Sequence, residues 1–295
     1  MTYDRAKLIV LVCALGAIPA DSRPAAALQA DADPPSDVTE SAPDPTPSQD
    51  EDADDAVLRL AEPEYRLINV PTTLALPRFR ASFDLTHRFV GNLARGSFSE
   101  HAKNLFGLDQ GALIGFEFRV GLARGVQAAV YRATLDKTIQ LHGKWDAVRQ
   151  RNESPVAVSA VVSIEGADNF TERRAPAVGA VVSRILSERG AVYAAPIWVH
   201  GTAPDGGPQR DTTFIGVGGR LRISPTVYIV GEVSPRLGGY APGPPEFGFG
   251  IEKRAGGHLF QLNFTNTLST TYGQVARGGS PNTLYLGFNL ARKFF

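Results

Sequence analysis

One cysteine, one methionine and two tryptophans serve all 295 residues, and each scarcity removes a class of protein. The lone Cys13 allows no intramolecular disulfide and no Cys-based metal site, so stability has to come from pairing and packing. Lysine plus arginine equals aspartate plus glutamate at 30 each, which leaves none of the basic surplus that a nucleic-acid partner requires. After the first twenty residues no stretch is apolar enough for a helix to span a bilayer. That absence leaves membrane strands open, because a tilted strand crosses with about ten alternating residues and gives a far weaker hydropathy signal.

What the chain does contain begins with an export signal. In residues 1–27, Arg5 and Lys7 precede an apolar run over 8–18, and small residues end at Ala25, Ala26 and Ala27. Cleavage there or after Ala20 would remove Cys13, which follows Val12, too bulky a neighbour for a lipoprotein site. Residues 28–66 form an acidic, proline-rich leader, DADPPSDVTESAPDPTPSQDEDADD at its centre, with almost nothing to bury and an expectation of disorder. Towards its end, residues 56–76 carry Val57, Leu58, Leu60, Leu67, Ile68 and Val70, enough for a short helix or plug, with Pro71 and Pro77 limiting any helix.

The last stretch, residues 282–295, reads NTLYLGFNLARKFF. Leu284, Leu286, Phe288, Leu290 and Phe294 share one parity, and Tyr285, Gly287, Asn289, Ala291 and Lys293 the other. A closing strand with one greasy face and no helix to cover it suits a barrel in lipid, where only closure satisfies every backbone group. The same period of two recurs over 78–89, 112–122, 138–147 and 212–223, near Glu232, Glu252 and Asn263, and less cleanly at Val126, Val156, Val178 and Val192. The count is about twelve. Links at 121–125, 187–190, 224–225 and 254–257 are tight, whereas those at 91–111, 166–175, 201–211, 236–245 and 266–281 are longer. Links 133–137 and 148–155 break this alternation. Short turns on one side and long loops on the other are the asymmetry of outer-membrane barrels. The expected fold is all-β: an antiparallel transmembrane β-barrel of about 12 strands over residues 67–295.

Several strings carry a family resemblance: THRF (86–89), NLFGLDQGA (104–112), RATLDKTIQ (132–140), EVSPRLGGY (232–240), FGIEKRAGGHLFQLNF (249–264) and GFNLARKF (287–294). Together they resemble the β-barrel family called domain of unknown function 5777, over about residues 67–295. The resemblance implies an outer-membrane-type barrel and carries no catalytic residues with it.

By parity the lumen is expected to hold Arg80, Asp84, Arg88, Glu117, Arg119, His142, Lys144, Asp146, Arg184, Arg220, Arg222, Glu232, Glu252 and Arg254. Charges are costly on a lipid face, so their collection on one parity supports the inward assignment. Two readings follow: a charged conduit in which Arg80, Arg119, Arg220 and Arg222 favour small anionic solutes, or a salt-bridge network that fills the barrel and leaves a structural or partner-docking role to the long loops. A third, a lipid-modifying enzyme using His87 or His258, lacks a serine at matching depth, and the chain is read as a non-enzyme with no cofactor. His142 and Asp146 stand too far apart on one strand to hold a metal alone. GVGGR at 216–220 lacks the spacing of a phosphate loop, and its glycines read as a bend or a close approach to the wall. Trp145, Trp198, Tyr240, Phe247, Phe249 and Tyr285 are girdle candidates. The implied partners are membrane lipid, small solutes and, during biogenesis, the barrel-assembly machinery. The implied place is the bacterial outer membrane with both termini periplasmic.

Overall fold

The structure, a computed structural model, describes residues 60–151, 154–203, 211–239 and 243–294. The signal segment, residues 28–59 of the leader and Tyr240 lie outside the described residues.

Twelve antiparallel strands make one closed wall: β1 (Ala81–Asn92), β2 (Ala112–Ala123), β3 (Val126–Ala133), β4 (Ile139–Val148), β5 (Ala157–Gly166), β6 (Glu172–Ser187), β7 (Gly190–Val199), β8 (Thr212–Ser224), β9 (Val227–Ser234), β10 (Glu246–Ala255), β11 (His258–Thr265) and β12 (Tyr285–Phe294). Each pairs with its sequence neighbour, and β12 closes on β1 in a register running from Ala81 opposite Phe294 to Arg88 opposite Gly287. Past Pro235 a three-residue strand, Arg236–Gly238, adds to the start of β8. The first and last residues of the wall, Ala81 and Phe294, lie at the tight-turn end.

Alternation sets what each face meets. On β1, Ser82, Asp84, Thr86 and Arg88 are buried inward, while Phe83, Leu85, His87 and Phe89 point out. The outward side chains of the other strands, Phe116, Phe118, Trp145, Val162, Trp198, Ile251, Phe260 and Leu262 among them, are exposed. An apolar surface that runs round the molecule is a surface for lipid, since water would penalise every square ångström of it.

The barrel is not hollow. Residues 60–76 enter from the tight-turn end and fill the lumen, so residues 60–66, expected in the disordered leader, belong instead to a buried plug anchored by Tyr65 and Leu67. The plug turns on a hairpin: Thr72 N–H donates to the Tyr65 carbonyl at 2.9 Å and Leu67 N–H to the Val70 carbonyl at 2.8 Å. Its apolar tip rests on wall glycines. A Cβ on Gly216 would come within 2.7 Å of Val70, one on Gly218 within 2.5 Å of Leu67, and one on Gly248 within 2.9 Å of Ile68. Those glycines of the GVGGR stretch therefore make the close approach that its composition suggested.

The long-loop end is filled as well. Residues 266–281, between β11 and β12, fold back so that Tyr272, Val275 and Ala276 are buried in the same core as Leu67, Ile68 and Val70, with Gln274 buried beside them. Gly273 N–H donates to Glu165 of β5 at 2.9 Å, an approach that a Cβ, 2.3 Å from the carboxylate, would block.

Replacing Gly218 with valine should force the hairpin off the wall. Overpacking of this kind costs about 1–3 kcal/mol. We expect a lower thermal midpoint, read from the heat-modifiable gel shift, and new protease sensitivity within residues 60–76; an unchanged midpoint and an intact plug would show that the hairpin does not need this glycine.

Candidate functional site

The candidate site is the lumen and the two segments that close it. In an apolar membrane, a charge brought inside a narrow barrel needs a partner, and the partners here come from the same strand, from the next strand but one or from the plug. On β2, Glu117 accepts from Arg119 at 2.6 Å and from Arg66 of the plug. The Arg66 and Arg119 guanidiniums also lie over the rings of Tyr131 and Tyr65, at 5.5 and 5.0 Å. Arg220 of β8 forms a two-point pair with Glu252 of β10, at 2.6 and 2.9 Å, and gives a further hydrogen bond to the Arg66 carbonyl. Lys144 of β4 pairs with Asp146 and donates to the plug carbonyls of Thr72 and Leu74. Gln261 donates to the Leu67 carbonyl, and Lys293 to that of Pro63.

The wall residue with the most hydrogen bonds to the plug backbone is Glu232 on β9. Its carboxylate accepts three consecutive backbone N–H groups at the hairpin tip, from Ile68 at 2.9 Å, Asn69 at 2.8 Å and Val70 at 3.0 Å, while Asn69 Nδ2 donates to Glu246 at 3.0 Å. Gly218 on β8 and Gly248 on β10 lie level with Glu232 on either side. One glutamate between two bare backbones is thus a socket for a tight turn. The three N–H groups converge as in backbone anion nests, with a wall carboxylate as the anion.

At the long-loop rim a second set of pairs ties the loops together, and one of them holds residues 266–281 down. Asp136 accepts from Arg277 of that segment at 3.3 Å and from Arg173 at 3.0 Å. Beside them Lys137 bonds Asp168 at 3.0 Å and holds that carboxyl below the usual carboxylate range.

Of the residues expected in the lumen, Asp84, Arg88, Glu117, Arg119, His142, Lys144, Arg220, Glu232 and Glu252 are buried on inward faces. Arg80 and Arg254 line the tight-turn mouth, and Arg222 is half-buried two residues beyond Arg220. Arg184 is a correction: it is exposed on the outer face of β6, because Ser183 and Ile185 take the inward parity. Near a strand end opposite Val192, its long side chain can reach the headgroup level. Sequence reasoning missed Arg66, Glu165, Glu246, Gln261 and Lys293. Glu246 shares the parity of Glu252 and Lys293 that of Asn289, a signal that was available; Arg66 sits in a hairpin without period and had none.

His87 and His258 both face out. The His87 ring stacks on Phe288 at 4.7 Å, and His258 lies 3.2 Å from an Arg292 nitrogen. Among the described residues neither histidine has a serine hydrogen-bond partner, and no group of three or more His, Asp, Glu or Cys could hold a metal ion.

Lipid outside, paired charge inside and a closed strand register define a membrane-spanning β-barrel with an internal plug. The chain belongs to the family described as a membrane bound beta barrel domain, DUF5777, whose model matches residues 64–294. No curated protein matches the chain. Among solved structures it is similar to the NanC porin (8% identity, 73% of this chain and 99% of that one, TM-score 0.48), to the KdgM porin in complex with disordered oligogalacturonate (9%, 72% and 99%, 0.49) and to an outer membrane channel from Pseudomonas putida F1 (12%, 75% and 98%, 0.46).

Glu232→Ala should strand three buried N–H groups, each loss costing about 1–3 kcal/mol. Hydrogen exchange at Ile68, Asn69 and Val70 should quicken by at least tenfold while the wall amides of β1 and β12 keep their protection; equal rates in both proteins would remove Glu232 as the anchor.

Proposed function

We propose that this protein is an outer-membrane channel for small anionic solutes, held closed by its own residues 60–76. The observation that carries the reading is how the plug is attached: by hydrogen bonds, ion pairs and apolar contacts to the inner face, while every strand of the wall is paired without it. Its one covalent tie to the barrel is the short link at 77–80, so the plug can leave towards the tight-turn end without opening a strand pair. Arginines at that end then favour anions at the entrance. In this reading residues 1–27 export the chain, the barrel-assembly machinery inserts it, and the tight-turn end and both termini face the periplasm.

The filling of the long-loop end by residues 266–281 favours a second reading, a permanently closed barrel that acts through its loops. One pair of substitutions separates the two. A Cβ on Gly216 would stand 3.5 Å from that of Val70, within disulfide range. In a planar bilayer with a salt gradient, the full chain should give steps with an anion-favouring reversal potential, and Glu232→Ala should lengthen them. The oxidised V70C/G216C protein should be silent and recover on reduction. Conductance through the oxidised lock would exclude the plug as the gate, and silence in every variant would favour the closed barrel.

A further inference from the structure

Beneath the plug, at the tight-turn end, lies a cavity of about 750 Å³, roofed by Leu74, Leu76 and Pro77 and sided by Arg80, Arg124, Arg149 and Arg254. These four arginines differ from those deeper in the barrel. Arg66, Arg119 and Arg220 are each spent on a carboxylate, and Arg88 donates to Asn289. Among the described residues, no carboxylate lies in ion-pair range of the four at the mouth and no hydrogen bond engages their guanidiniums.

The acids of the cavity form no ion pair with these four arginines, and each has a partner of its own. Glu62 accepts from the Thr73 N–H and hydroxyl, Glu64 from the Tyr65 N–H, and Asp146 from Lys144 and Ser159. The mouth is also built rather than loose. Gln150 exchanges two hydrogen bonds with the Ile185 backbone, at 2.7 and 2.9 Å, and so fixes the strand end that carries Arg149. Gly125, at φ +74°, turns the chain beside Arg124 and packs on Asp146.

Unpaired guanidiniums around a recess focus a positive potential, and each offers a planar fork that fits two oxygens of a carboxylate or phosphate. The volume falls within the range of small-molecule sites. We propose that this mouth is a binding site for a small polyanion, of carboxylate or phosphate chemistry, and that it is complete while the barrel is closed. The site rests on the channel reading for its purpose but not for its existence: there it would load solute against the plug.

The test is calorimetric titration of the full folded protein at low ionic strength with citrate and with inorganic pyrophosphate. At least one should bind, more weakly as salt is added. R124Q/R149Q should lose at least tenfold in affinity, and R80Q/R254Q serves as the second variant should the first misfold on the gel shift. The oxidised V70C/G216C protein should bind as the native chain does. No binding of either anion by the native protein, or equal affinity in the arginine variants, overturns the site. Binding by a protein that stays silent in bilayers would sink the channel reading and leave the site standing, and conductance without binding would do the reverse.

Discussion

Everything inside this barrel depends on one constraint: a wall of twelve strands encloses more space than its own inward side chains can fill. In water the gap would be solvated. Here the inward faces carry enough charge that each guanidinium and carboxylate needs a partner close by, and the wall supplies only part of the set. Arg119 and Glu117 pair along one strand and Arg220 and Glu252 face each other across β9, yet among the described residues Glu232 has no cation in ion-pair range and Lys144 has spare donors. The plug completes the set mainly with backbone: three N–H groups for Glu232 and carbonyls for Lys144, Gln261 and Arg220, beside the side chains of Arg66 and Asn69. A peptide that offers mainly backbone groups presents donors and acceptors side by side and can meet both signs at once.

Both ends use a buried carboxylate-to-backbone bond and apolar burial, and the long-loop end adds ion pairs at its rim. The hairpin of residues 60–76 is held by buried carboxylate-to-backbone bonds and by apolar contact over glycines, interactions that salt screens little. Residues 266–281 are pinned at their rim by the partly exposed pair of Arg277 with Asp136, which Arg173 of β6 also meets; such pairs are weak individually and sensitive to ionic strength. Charge at the tight-turn mouth is different again, because there the cations outnumber the acids left free to meet them.

Most of the wall was legible in the sequence because a strand between lipid and a charged lumen has to alternate. Residues 282–295, the runs at 78–89 and 112–122 and the sidedness of the links led to a closed barrel without any structure. Arg184 was misplaced because β6 is 16 residues long and carries alanine and valine on both parities, so nothing fixes its phase from sequence. The plug was only half visible: apolar content over 56–76 signalled a buried segment, but a hairpin has no period, and an acidic leader running into it hid where burial begins. Its footprint was written on the wall instead. Gly216, Gly218 and Gly248 take inward positions where a side chain would otherwise fill the lumen, and an inward glycine in a barrel implies that something else occupies the space.

The position of the plug in the chain has a consequence for assembly. Residues 60–76 precede β1, yet their partners run to the far end of the polypeptide: Gln261 binds Leu67, and Lys293 binds Pro63 across 230 residues. Contacts so distant in sequence make for slow folding, since the loop between them must close before they form. The lumen therefore acquires its filling last, or together with the joining of β12 to β1. A chain cut short before β11 would keep most of its hairpins and lose the floor on which its own beginning rests, so completion of the last strand is also the step that tells the first folded segment where to lie.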